Sequence, residues 1–392
     1  MIALFKKQHH RKLLTQIAPL CDYATKIMKS VFGETVIKKP VIILTVLVLV
    51  GLLSYNQRAT IAEKIMAKGL EARLGMDITD TMEDGLHLAL CGAGGPMPAP
   101  HASGPCVAVI AGKRLFVVDA GTDGLRNLGR MGYAAGSIEA VFLTHFHSDH
   151  IDGLGEMATI RWVSAGHTAP LPVYGPEGLG KVVKGFNAAY DFDAGYRHAH
   201  HGDTVAPRRG AGMKAMPFKQ PKIGELVTLV DDGNFKVEAL AVSHAPVSPA
   251  VGYRFTYKDR SLLITGDTVK LPNIEKFATG VDLLVHEALA PNLLTMMHQA
   301  ASKNGDDILA KVFHDVLDYH TSPAEAAETA RDADVGHLLY YHIVPPIMFP
   351  GQETLFLDGA EDIFADYTVG KDGTSFTLPT GSDKIIRTSK GL

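Results

Sequence analysis

From about residue 85 the chain breaks into short apolar runs separated by turn residues: Leu86 to Leu90, Cys106 to Ile110, Leu115 to Val118 and Ala140 to Leu143. Runs this short, bounded by glycine and polar turn formers, predict strands. A second series follows with Phe235 to Val242, Val251 to Tyr257, Ser261 to Ile264, Leu283 to Val285 and Leu338 to Tyr341, each ending at a polar or histidine-rich turn. Helical stretches lie between them. The clearest is Pro323 to Asp332, where Thr321 or Ser322 can cap the helix and proline suits its first position. Two strand groups with helices outside suggest a four-layer αββα sandwich, although the pattern alone says only mixed α/β.

Residues 187–218 break this rhythm, being rich in glycine, aromatic and basic positions, among them Tyr190, Tyr196, Arg197, His198, His200 and His201. They read as an inserted loop, with Tyr190, Tyr196 and His198 as candidate substrate-lining residues or, in the blander reading, part of a solvated excursion. Between Lys39 and Arg58 no charged residue occurs, and Val41 to Leu53 is apolar apart from Thr45 and Gly51. A membrane-crossing helix needs roughly 17 to 25 such residues, so 40–57 is expected to be a single transmembrane anchor; a buried helix or signal-peptide core are the alternatives. Eight basic residues against Asp22 and Glu34 give residues 1–39 a net charge of +6, leaving −10 on the remainder of a chain whose formal charge is −4. The positive-inside rule then keeps the tail cytoplasmic and places the rest of the chain outside the cytoplasm. Residues 58–84 are expected to form a juxtamembrane helix or spacer, and 85–392 the main domain.

With 46% hydrophobic and 20% charged positions among 392 residues, the chain can bury a large core. Its 39 glycines and 21 prolines follow no short period, which argues against low complexity and for many tight turns. Three cysteines, Cys21, Cys91 and Cys106, supply no disulfide framework and make a thiolate metal site improbable. Histidine is the informative residue instead, with 18 copies.

The decisive segment is Thr144-His145-Phe146-His147-Ser148-Asp149-His150, directly after an apolar strand. Residues two apart in an extended chain project to the same side, so His145 and His147 can converge on one metal ion. Asp149 and His150 lie beyond the turn, where they can reach a second. Further ligands are needed, and His244, Asp267 and His342 each follow a predicted strand as the motif histidines do. A carboxylate such as Asp267 can bridge two cations, which a neutral imidazole cannot.

These residues resemble the metallo-β-lactamase superfamily over roughly 85–380. By that resemblance His145, His147 and His244 would hold one metal, Asp149, His150 and His342 the other, and Asp267 would bridge. Asp119, in Val117-Val118-Asp119-Ala120-Gly121, matches an aspartate that supports the ligands from behind. Asp267 stands where a zinc β-lactamase of the common type would carry cysteine. His286-Glu287-Ala288 and His320-Thr321-Ser322-Pro323 resemble motifs of ribonuclease Z and its phosphodiesterase and arylsulfatase-like relatives. That similarity implies that His320 protonates a leaving group, Glu287 orients it and Asp149 orients the attacking water. Two zinc ions are the implied cofactors, with manganese or iron compatible with the same ligands.

The glycine- and lysine-rich arm of the tRNA enzyme is not evident, and −10 outside the tail disfavours a phosphate-rich polymer. The expectation is therefore a membrane-anchored hydrolase of a small phosphodiester, aryl sulfate or related ester, with the bilayer as a partner through its anchor, no nucleic acid, and homo-oligomers allowed. A lactonase, a β-lactamase-like amidase and a ribonuclease Z-like RNA endonuclease are the enzymatic alternatives. A membrane-tethered metal-binding scaffold is the non-enzymatic one.

Overall fold

The computed structural model describes residues 55–389 continuously and a few isolated positions before them. The chain divides into 1–75 and 76–392. In the first unit a helix, α1 (Arg58–Arg73), follows the helical composition of that stretch. Most of the expected anchor at 40–57, and nearly all of the basic tail, lie outside the described residues. Among the described residues no helix is long and apolar enough to cross a membrane. The expectation of an anchored, outward-facing domain is set aside on the relatives described below.

In the second unit fifteen strands form two sheets. They are β1 (Gly85–Gly92), β2 (Cys106–Ala111), β3 (Arg114–Val118), β4 (Ile138–Phe142), β5 (Leu171–Gly175), β6 (Met213–Pro217), β7 (Leu226–Asp231), β8 (Phe235–Ala241), β9 (Val251–Tyr257), β10 (Arg260–Ile264), β11 (Leu283–Leu289), β12 (Leu338–Val344), β13 (Tyr367–Val369), β14 (Thr374–Pro379) and β15 (Ile386–Ser389). One sheet runs β15-β14-β1-β2-β3-β4-β5-β6 and the other β13-β12-β11-β10-β9-β8-β7. Every residue of β1 is buried, and alternation explains why. Leu86, Leu88 and Leu90 enter the core between the sheets, whereas Ala89 and Cys91 face the outer helices. The inter-sheet core is aromatic at its centre: Phe142 meets Tyr174, Tyr253 and Phe255 with ring centroids 4.9 to 5.7 Å apart. Truncating such a buried ring typically costs about 3–5 kcal/mol.

Helices cover both outer faces, giving the expected four-layer αββα architecture. Against the first sheet lie α2 (Gly124–Met131), α3 (Ser148–Ile151), α4 (Leu154–Ala165) and α5 (Leu179–Val205). On the second, α6 (Pro272–Ala278), α7 (Pro291–Lys303), α8 (Asp307–Asp315), α9 (Pro323–Asp332), α10 (Gln352–Leu357) and α11 (Ala360–Ile363) follow in chain order. The proline-led α9 begins at a capping box in which Ser322 and Glu325 satisfy each other's backbone N–H groups.

One expectation changes here, and one pairing that three cysteines left open is settled. Residues 187–218 are not a loop: α5 continues to Val205, bends at Gly202 (φ 67°), and β6 completes the sheet edge. Leu179 and Val183 bury one end of α5 while Val182 and Phe186 pack beside them, and this tertiary anchoring outweighs Gly185 and Gly195, each costing about 1 kcal/mol in a helix. Cys91 and Cys106, on neighbouring strands, form a disulfide across a sequence separation of 15. One staple is therefore present where no framework was expected.

Candidate metal centre

Strands β3 to β6 run parallel, as do β10 to β13, so their carboxyl ends collect at one rim of the sandwich. Crevices at such ends are where open α/β sheets place their chemistry. Asp119 follows β3; His145, His147, Asp149 and His150 follow β4; His244 follows β8; Asp267 follows β10; Glu287 and His342 lie near the ends of β11 and β12. All seven expected ligands are brought together. His145, His147, His244 and Asp267 offer atoms within 4.8 Å of one another, as do Asp149, His150 and His342, and again Asp267, His320 and His342.

For three of the rings, hydrogen bonds on the far side select which nitrogen faces inward. Asp119 accepts from His150 Nδ1 at 2.8 Å, leaving Nε2 toward Asp267 Oδ2 at 3.4 Å and Asp149 Oδ2 at 3.6 Å. The Tyr319 carbonyl accepts from His244 Nδ1 at 2.8 Å, so its Nε2 points at Asp267 Oδ2, 3.7 Å away. Thr144 Oγ1 donates to Asp119 at 2.8 Å and lies 3.0 Å from His145 Nδ1, which turns His145 Nε2 toward Asp267 Oδ2 at 3.7 Å. His342 Nε2 stands 3.4 Å from both Asp149 Oδ2 and Asp267 Oδ2. His150 Nε2 and Asp267 Oδ1 are buried without a hydrogen-bond partner. Converging lone pairs with unpartnered buried atoms between them fit a divalent cation.

The titration directions show the same demand for positive charge. Burial drives His145 well below its ordinary value and His244 down to about 4, so both offer neutral rings. Burial opposes charge on His150 too, yet Asp267 and Asp119 push it well above the usual imidazole range. Burial would raise Asp267, but the charges of His342 and His150 hold it well below the carboxylate range. A metal ion can supply what that proton supplies.

The backbone is unusual at two of these positions. Asp119 has φ 57° and His342 φ 45°, the left-handed region that ordinary residues avoid and that clusters at functional sites. Close backbone packing fixes the loops: a Cβ at Gly121 would lie 2.3 Å from the carbonyl carbon of Gly104 and 2.6 Å from the Asp149 oxygen.

Beside the cluster, Glu287 is fully buried, and one carboxylate oxygen accepts from Thr268 N, Thr321 N and His320 Nδ1 at 3.0 to 3.1 Å. Burial disfavours the charged ring of His320, but this carboxylate outweighs it and pushes His320 up to about 9. His320 stacks over His342 with centroids 5.6 Å apart, at the edge of the ligand group.

The expected substrate-lining residues are placed elsewhere. Tyr190 packs on Gly155, where a Cβ would come within 2.2 Å of its ring. Tyr196 is exposed on α5, and His198 bonds the Ala206 carbonyl at 2.9 Å, securing the bend at the helix end. The cavity that reaches Asp149, about 790 Å³, is instead lined by 95–104 and by Arg130, Lys371 and Asp372. Asp372, Thr144 and Tyr319 were not singled out from the sequence. Thr144 could have been, from its place ahead of His145; Asp372 looks like an ordinary Asp-Gly turn.

A family model described as the metallo-beta-lactamase superfamily matches residues 101–336. The chain is 36% identical over 270 residues to the protein named ribonuclease Z of Mycobacterium bovis strain BCG Pasteur, covering 68% of this chain and 89% of that one. It is 35% identical over 270 residues to the ribonuclease Z of Mycolicibacterium gilvum, covering 68% and 87%. Among solved structures, the metallo-beta-lactamase fold protein YhfI from Bacillus subtilis matches with a TM-score of 0.53 at 21% identity, over 75% of this chain and all of that one. Human tRNase Z, short form, matches at 0.52 and 20% identity, over 75% and 99%. At those identities the structural matches show the fold alone. The relatives named as ribonucleases overturn the small-ester and arylsulfatase expectation and the expectation of no nucleic-acid partner. The charge argument gives way to those relatives; the wall of the cavity that reaches Asp149 carries Arg130 and Lys371 together with the acids Asp123, Asp152 and Asp372.

Proposed function

Because this chain belongs to the metallo-beta-lactamase superfamily, among relatives that bear the name ribonuclease Z, we propose that it is a metal-dependent endoribonuclease hydrolysing a phosphodiester bond in the 3′ region of a tRNA precursor. The extent of the match to those relatives carries the RNA reading, and the site supports the chemistry. Two divalent cations, zinc first, would be held by His145, His147 and His244 on one side and Asp149, His150 and His342 on the other, with Asp267 between; manganese or iron suits the same donors. Bound there, they supply Lewis-acid polarisation and a water of lowered pKa.

The chain's own groups do the rest. Asp119 fixes the His150 tautomer, and the Tyr319 carbonyl fixes that of His244. Asp149, with an oxygen facing the cluster, orients the attacking water. Glu287 keeps His320 protonated, and His320 delivers that proton to the departing ribose oxygen, a leaving group too basic to depart readily as the alkoxide. Arg130 and Lys371 offer charge to the flanking phosphates.

The test is an end-labelled tRNA precursor with a 3′ extension, incubated with purified protein and zinc or manganese, beside an unrelated structured RNA. A discrete cut near the extension junction, lost on chelation, is the expected result. An intact precursor with a metal-loaded protein would overturn the proposal.

A further inference from the structure

We propose that the apolar cavity beneath Phe349 is a base-stacking subsite for one unpaired nucleotide flanking the cleaved phosphate. This rests on the RNA reading above and specifies how that substrate is held. The cavity has a volume of about 550 Å³ and is bounded by the 346–351 loop on one side and by Ala99, His101 and Ala102 on the other, with Glu353 and Lys371 as its charged lining. Phe349 is 58% exposed and Met348 54%, two adjacent apolar side chains open to solvent at the mouth of an apolar cavity.

Three observations tie this surface to the reaction. First, the cavity shares Ala99, His101, Ala102 and Lys371 with the cavity that reaches Asp149, so the two lie on either side of one wall. Lys371 therefore borders both; its ammonium, 3.7 Å from Glu353 on an exposed side chain, can turn to a phosphate joining a nucleotide in one to a nucleotide in the other. Second, the loop leaves the end of β12 two residues after His342, and Gly95, earlier in the segment that leads to Ala99, packs so closely that a Cβ there would meet the His342 ring at 3.0 Å. The platform is thereby built onto a metal-site ligand. Third, the loop is held in shape: the side chain of buried Gln352 accepts from Met348 N at 2.8 Å and donates to the Pro346 carbonyl at 2.9 Å. A rigid aromatic face beside a cation is the chemistry that single-stranded nucleic acid uses, because every base has a π-face.

The experiment compares full-length wild-type protein, Phe349→Ala and Phe349→Tyr on the 3′-extended precursor and on versions carrying one abasic site at each nucleotide flanking the cut. Phe349→Ala should lose about 5- to 100-fold in kcat/KM, mainly through KM, with metal content intact, and Phe349→Tyr should restore most of it. One abasic position should cost the wild type a similar factor and cost Phe349→Ala nothing more. Unchanged kcat/KM in Phe349→Ala, losses that multiply at every abasic position, or a fall in metal content would overturn the subsite while leaving the RNA reading in place. A wild-type protein that leaves the precursor uncut would overturn both.

Discussion

Replacing Asp119 by asparagine separates the support of the metal centre from its ligands. Both residues tolerate the left-handed backbone found there, φ 57°, so the substitution leaves the chain path alone. What changes is the hydrogen bonding. Asp119 Oδ1 accepts from the Thr144 N–H at 2.8 Å, and Oδ2 accepts from Thr144 Oγ1 and from His150 Nδ1, each also at 2.8 Å. Every donor faces an oxygen, so the amide NH₂ of asparagine must confront an N–H or O–H in either orientation. A charge-assisted bond of about 1.5–3 kcal/mol is lost, and a buried donor left unsatisfied costs about 1–3 more, for a total near 3 kcal/mol after partial relaxation. For a domain of this size, with an unfolding entropy of about 2.1 cal/mol/K per residue, that corresponds to roughly 4–5 °C in Tm. His150 can escape by moving its proton to Nε2, but that is the nitrogen facing Asp267 and Asp149. Zinc affinity should consequently fall about 10- to 100-fold, the usual cost of removing such a partner. Competition with a chromogenic chelator and a melting curve read the two effects. A folded Asp119→Asn protein that binds zinc as tightly as the wild type would refute the reasoning.

Three further outcomes are expected. His320→Ala should keep both metals and lose about 10²- to 10⁴-fold on RNA but far less on bis(p-nitrophenyl) phosphate, whose leaving group barely needs a proton; equal losses would reduce His320 to a positioning role. Gly121→Ala forces a Cβ against three backbone atoms, so it should cost more than about 3 kcal/mol and lower zinc stoichiometry; wild-type melting and metal content would contradict that packing. His337, away from the metal centre and bonded to Thr368 Oγ1 at 3.0 Å, is lowered by burial to about 4. Its contribution is complete above pH 6.5 and is lost as the pH falls toward 4; His337→Gln should flatten the acid limb of stability by about 2 kcal/mol, discounted for the partly exposed ring, and an unaltered urea midpoint difference between pH 7 and pH 4.5 would count against it.

The ligand loop was legible because it is local: His145 to His150 declare themselves within six positions, and His244, Asp267 and His342 through their places after apolar runs. Strands buried on both faces read as continuous apolar runs, so β2 was found almost to the residue, and the cap of α9 was legible from serine followed by proline. Partly exposed edge strands such as β6 and β7 carry no such run. The long helix α5 was hidden because glycines dilute its helical signal and its anchoring is tertiary. The order of strands within the sheets, the disulfide and the contacts of Asp372, which accepts from the N–H groups of Ala93 and Ser103 at 2.9 Å, depend on pairings far apart in sequence, which no local pattern encodes. An uncharged stretch near residue 40 suggested an anchor, and a sum of charges suggested a small substrate. Neither statistic reports which charges line the cavity.

The most direct test of the central claim is a metal titration of RNA cleavage by chelator-stripped protein, with Asp267→Asn measured alongside. Cleavage of the 3′-extended precursor should be absent without metal and rise to a plateau near two equivalents of zinc or manganese. The Asp267→Asn protein, which loses the carboxylate that faces His145, His150, His244 and His342, should stay near background throughout. Cleavage that persists without metal, or an Asp267→Asn protein that follows the wild-type titration, would contradict the account.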